Sequence, residues 1–80
     1  MSAYIATFHT HLAALLTSRA LGQADIPSRM APVPRKLSSS CGTCVLYEGE
    51  TPRLELMDRD TEAVYEIQGE ETYLRLYENK

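Results

Sequence analysis

Eighty residues with a formal net charge of −3 fit one domain, read as residues 1–80, and exclude a large core. The acidic balance argues against general nucleic-acid binding, which relies on a basic surface to displace counterions. Ordinary charged and apolar fractions exclude wholesale disorder, and no run is long enough to span a bilayer.

Tyr4-Ile5-Ala6-Thr7-Phe8 reads as a first strand, because β-branched and aromatic residues suit a pleated, buried surface. Thr10 can cap a helix running from about His11 to Ala24, with Leu12, Leu15, Leu16 and Ala20 facing the sheet. Gly22 weakens the last turn, and Pro27 rules out a longer helix. Arg29 to Val33 looks extended, but Pro32 and Pro34 cannot donate ladder hydrogen bonds, so this strand belongs at an edge. Arg35 to Ser40 is a loop, and Thr43 to Tyr47 is a strand.

Thr51-Pro52 has the chemistry of a helix start, and Leu54 and Met57 would form a short apolar stripe. The alternation Leu54-Glu55-Leu56 also permits a strand. Ala63 to Ile67 is a strand, Gly69-Glu70-Glu71 turns the chain, and Tyr73 to Tyr77 forms a further C-terminal strand. The order β-α-β-β-α-β predicts an α+β fold, a ferredoxin-like split βαβ sandwich with both helices on one face.

The chemical signal is Ser38-Ser39-Ser40-Cys41-Gly42-Thr43-Cys44. A thiol reacts as its thiolate, so a useful site exposes the sulfur or favours the anion. Gly42 frees the backbone, Ser39 and Ser40 offer donors, and Arg35 with Lys36 adds positive charge if the loop folds back. Cys44 has three readings: a thiol that resolves Cys41, a metal ligand, or a small buried strand residue sharing a face with Leu46. The chain shows no secretory leader, so a cytoplasmic location is expected, where thiols stay reduced.

His9, His11, Cys41 and Cys44 are zinc-ligand types, but their spacing matches no standard pattern, and no metal is assigned. No phosphate loop, nucleophilic triad or other cofactor motif is present. Pairs of acids such as Glu70-Glu71 read as solvated surface, and the C-terminal tyrosines read as sheet packing.

Four segments carry a family likeness: Phe8-His9-Thr10, Ala24-Asp25-Ile26-Pro27, Pro32-Val33-Pro34-Arg35, and Ser38-Ser39-Ser40-Cys41-Gly42. Together they resemble the selenium/sulfur (Se/S) carrier protein-like family, a short bacterial and archaeal domain. The resemblance runs from the N-terminus to Tyr47 and continues weakly through Tyr65-Glu66-Ile67. It implies a carrier or accessory protein rather than a stand-alone enzyme. Cys41 would bear sulfur or selenium as a persulfide or perselenide and exchange it with a protein donor or acceptor. Arg35 and the Ser38–Ser40 loop would stabilise the anion, with His9 assisting. Cys44 stands where the family pattern has a small apolar residue, so a paired thiol would belong to this chain alone. Two other readings remain: a metal-binding or redox module through Cys41 and Cys44, and a non-enzymatic interaction domain. In the last, an open sheet edge joins a partner or a second copy, as in a homodimer.

Overall fold

The computed structural model describes residues 1–79. In chain order the elements are β1 (Ser2–Phe8), α1 (His11–Gln23), β2 (Ser28–Pro32), β3 (Thr43–Gly49), a 3-10 turn (Leu54–Leu56), β4 (Thr61–Gly69) and β5 (Thr72–Glu78). The strands form one sheet in the order β2-β3-β1-β4-β5, and every neighbouring pair is antiparallel. β1 lies at the centre because both of its faces are apolar. Tyr4, Ala6 and Phe8 enter the core under α1, while Ile5 and Thr7 are fully buried on the opposite face. There Ile5 sits opposite Leu46 on one side and Tyr65 on the other.

α1 begins where Thr10 accepts a hydrogen bond from the Ala13 N–H at 3.1 Å. It ends in a paired-bond cap, with Ile26 N–H donating to Leu21 O and Asp25 N–H donating to Gly22 O. Asp25 takes the left-handed conformation this requires (φ 60°). Leu21 and Ile26 are both buried in the core, which fixes the exit of the chain toward β2. Short, Pro-ended β2 is an edge strand, since its outer side has no ladder to complete.

The helix turns a different face to the sheet from the one its leucines suggested. Ala13, Ala14, Thr17 and Leu21 are buried, whereas Leu12 and Leu16 are exposed. The reason is volume. Tyr4, Phe8 and Tyr47 already fill the space above the central strands, and small side chains let α1 approach them closely.

The expected ferredoxin-like sandwich is not formed, because among the described residues the sheet carries one α-helix rather than two. Thr51-Pro52 leads only into the 3-10 turn, with no side-chain cap. Arg53 before the turn is left-handed (φ 52°), and Met57 after it is already extended. Neither backbone state can continue a helix. Tyr47 Oη donates to Pro52 O and pins this connection to the core. Burial raises the Tyr47 phenol well above its ordinary range, with Tyr4 and Glu55 adding to the rise, so the donor stays protonated. Among the described residues no helix is long and apolar enough to cross a membrane.

Candidate functional site

One end of the sheet gathers the chemistry. β1 and β2 finish there, and β3 and β4 begin there, because all neighbours are antiparallel. Only His9 and Thr10 separate β1 from α1, so the N-terminus of the helix lies at the same end. The loop from β2 to β3 closes on itself, with Val33 N–H donating to Gly42 O at 3.1 Å. Gly42 has φ +75°, a conformation that costs a residue with a side chain about 1–2 kcal/mol. This glycine turns the backbone directly after Cys41.

Cys41 is partly exposed and packs against the core on the helix side of the sheet. Its Sγ donates to Thr43 O at 3.5 Å and lies 4.0 Å from Ser39 Oγ. Ser39 in turn donates to Phe8 O at 2.8 Å, which ties the thiol loop to the end of β1. A hydroxyl has one proton and two lone pairs. With Ser39 giving its proton to Phe8 O and Cys41 giving its own to Thr43 O, the hydroxyl oxygen and Sγ face each other with no proton between them. If the sulfur ionises, rotation of the same hydroxyl would give it a donor.

Ser40 turns away from the thiol. Its hydroxyl donates to Glu62 Oε2 at 3.3 Å, and His9 Nδ1 lies 3.8 Å from the same oxygen. Glu62 reaches these groups because the β1–β4 ladder is bulged. Thr7 pairs with Ala63 and Phe8 with Thr61, so Glu62 is an extra residue opposite no partner. A bulge re-aims the side chain it carries. Here the carboxylate clamps the β1–α1 turn to the thiol loop. Its other oxygen, Oε1, is buried and has no hydrogen-bond partner among the described residues.

α1 has no acidic residue in its first turn. Its positive pole is therefore not internally neutralised, a favourable setting for an anion at this end. Arg35 and Lys36 are exposed, and neither forms an ion pair or hydrogen bond with Cys41 among the described residues. Ser38 is exposed as well.

Cys44 belongs to a different environment. It is fully buried, pairs across the ladder with Thr7, and donates to Pro32 O at 3.7 Å. Its neighbours in β3, Thr43 and Val45, turn to the helix side, so Cys44 points to the opposite face. Burial raises its thiol above the ordinary range, Arg29 opposes the rise, and Cys41 adds to it. Both cysteines are free thiols. Among the described residues no group of three or more His, Cys, Asp or Glu side chains is placed to hold a metal ion.

The structure thus brings Ser39, Gly42 and Cys41 together and links His9 and Ser40 to them through Glu62. It leaves Arg35 outside this hydrogen-bonded network. Glu62 and the Phe8 carbonyl were not foreseen. Nothing in the linear pattern marks Glu62, since a bulge depends on register between strands distant in the chain. Neither a curated protein nor a solved structure matches this chain. The family model described as "Putative Se/S carrier protein-like" matches residues 3–72, a span containing every group of the thiol site described above, and the chain belongs to that family.

Proposed function

We propose that the protein carries sulfur or selenium on Cys41, in the reducing setting of the cytoplasm, between a protein donor and a protein acceptor. The observation behind this reading is the contrast between the two thiols in a chain of this family. Cys41 is reachable and held by a glycine turn and Ser39, whereas Cys44 is sealed in the sheet. The Cys41 thiolate would attack the terminal sulfur of a donor persulfide. The donor S–S bond breaks, a new S–S bond forms to Cys41, and the donor leaves as a thiolate. The step is an exchange and needs no added oxidant. Ser39 and the N-terminal pole of α1 support the anion, and Glu62 with His9 and Ser40 keeps the loop in place.

Intact mass spectrometry after incubation with a small persulfide donor tests this reading. Wild type and Cys44→Ala should each gain one sulfur, and Cys41→Ser should gain none. A wild-type protein that gains nothing, or a label that maps to Cys44, would overturn it.

A further inference from the structure

Charge is divided between the two halves of the sheet. Residues 1–47 build β1, α1, β2, the thiol loop and most of β3, and they hold four cations, Arg19, Arg29, Arg35 and Lys36, against one acid, Asp25. Residues 48–79 build the 3-10 turn, β4 and β5, and they hold ten acids against Arg53, Arg59 and Arg75. The sheet order keeps the halves apart in space, with β2, β3 and β1 on one side and β4 and β5 on the other. The ion pairs repeat the division. Arg53 pairs with Glu55 and Arg75 with Glu78, whereas among the described residues none of the four cations of the first half forms an ion pair. Asp25 lies past the C-terminal end of α1, about 20 Å from the helix start that borders the thiol loop.

Two of these cations sit on the thiol loop itself. Val33 N–H donates to Gly42 O and closes the loop at its base, and Leu37 N–H donates to Pro34 O at 3.0 Å. Arg35 and Lys36 are therefore the central residues of a tight turn in the same loop as Cys41, and both are exposed. The acid at this loop, Glu62, is engaged by Ser40 and His9. We propose that Arg35 and Lys36 dock the acidic surface of a partner protein whose own reactive sulfur is bordered by Asp and Glu, bringing that sulfur to Cys41. This rests on the carrier reading and names the surface chemistry of the donor or acceptor. Neither cation forms a hydrogen bond or ion pair with Cys41 among the described residues, so their charge is free for a partner. Exposed charges of one sign speed the encounter with a surface of the other sign and fix its register. A nucleic acid is a poorer occupant, because two loop cations neutralise few phosphates and the acidic half repels the rest. A second copy could offer its acidic half, but its own Cys41 lies in its basic half, so that contact would not bring two sulfurs together.

The test measures disulfide exchange at Cys41 in the full chain carrying Cys44→Ala. Two short peptides each hold a single cysteine as its 2-thiopyridyl disulfide, flanked by Asp and Glu in one and by Lys in the other. The Cys41 thiolate attacks the peptide sulfur, the peptide–thiopyridyl S–S bond breaks, and the thiopyridine leaves and is followed by absorbance. Dividing each rate by that of the same peptide with 2-mercaptoethanol removes its intrinsic reactivity. At low ionic strength the acidic peptide should react about tenfold faster than the basic one, and the gap should close in about 1 M salt. The double change Arg35→Glu and Lys36→Glu should reverse the order while leaving the rate with uncharged 2-hydroxyethyl disulfide within about twofold of its original value. Equal rates for the two peptides, a faster basic peptide, or no reaction with either would overturn the proposal. So would a double variant that slows with the neutral disulfide as much as with the acidic peptide, since the cations would then act on the thiolate. A free protein that sediments as a dimer split by the double change, or a mobility shift of single-stranded RNA abolished by it, would give the surface to another occupant and overturn the proposal as well. The carrier reading fails separately. A protein that discriminates between the peptides but gains no sulfur from a persulfide donor loses that reading and keeps the docking surface, and the converse result removes the surface alone.

Discussion

The half of the sheet beneath α1 and the half beyond it, formed by β4 and β5, are sealed in different ways. Under α1, large sheet residues meet small helix residues, and Phe8, Ala14 and Val45 are wholly buried. Beside the turn, β5 keeps Leu74, Leu76 and Tyr77 in contact with solvent. What differs is backbone continuity. A capped helix of thirteen residues packs over β1, β2 and β3, whereas the chain between β3 and β4 forms only a three-residue turn between a left-handed and an extended residue.

The comparison is broken most forcefully by deleting side chains on each half. Phe8→Ala should lower unfolding free energy by about 3–5 kcal/mol, whereas Leu74→Ala should change it by less than about 0.5 kcal/mol. Urea denaturation measures both, and a large loss at Leu74 would mean that the open half is closed in solution. Adding volume should sharpen the contrast. Ala14→Leu forces α1 away from its neighbours and should cost about 1–3 kcal/mol, while an equal enlargement at exposed Glu55 should cost little. Thermal melting of the two variants decides it.

The smallest effect concerns the buried thiol. The Cys44 thiol is raised in the folded state by burial, so the unfolded chain ionises first as pH rises. Stability from this group is therefore intact below the ordinary thiol range and declines as pH climbs from there toward the raised folded value. Its slope is at most about 1.4 kcal/mol per pH unit. Cys44→Ala should flatten this part of the stability profile, and an unchanged slope would assign it to other groups, Tyr47 first among them.

Much of this arrangement was legible from local chemistry. The runs Tyr4–Phe8, Thr43–Tyr47, Ala63–Ile67 and Tyr73–Tyr77 all lie in strands, and Thr10 and Pro27 bracket α1 as capping and proline rules require. The edge position of β2 follows from Pro32. The rotation of α1 was not legible, because Leu12 and Leu16 obey the helical period as well as Ala13 and Thr17 do. Only the bulk of Tyr4, Phe8 and Tyr47 across the interface decides between the two phases. The missing second helix has a similar origin: Thr51-Pro52 is a valid start signal, but Arg53 and Met57 adopt backbone states that no short-range rule requires. At the site, Cys41-Gly42 and Ser39 stand out in the sequence. Glu62 looks like one acid among many until strand register makes it the bulged residue.

The placement of the two sulfurs has a consequence for oxidation. Cys41 and Cys44 are near neighbours in the chain, yet the first packs on the helix side of β3 and the second points through to the other side. Ring closure between them would have to bring together sulfurs from the two faces of β3, and a disulfide tolerates only a narrow separation and orientation. An oxidant arriving at Cys41 therefore meets a sulfur that lies across β3 from the Cys44 thiol. Its damage would leave as a mixed disulfide with a small solution thiol or as a covalent link to another molecule, and a reductant that acts on such adducts would restore the protein without unfolding it.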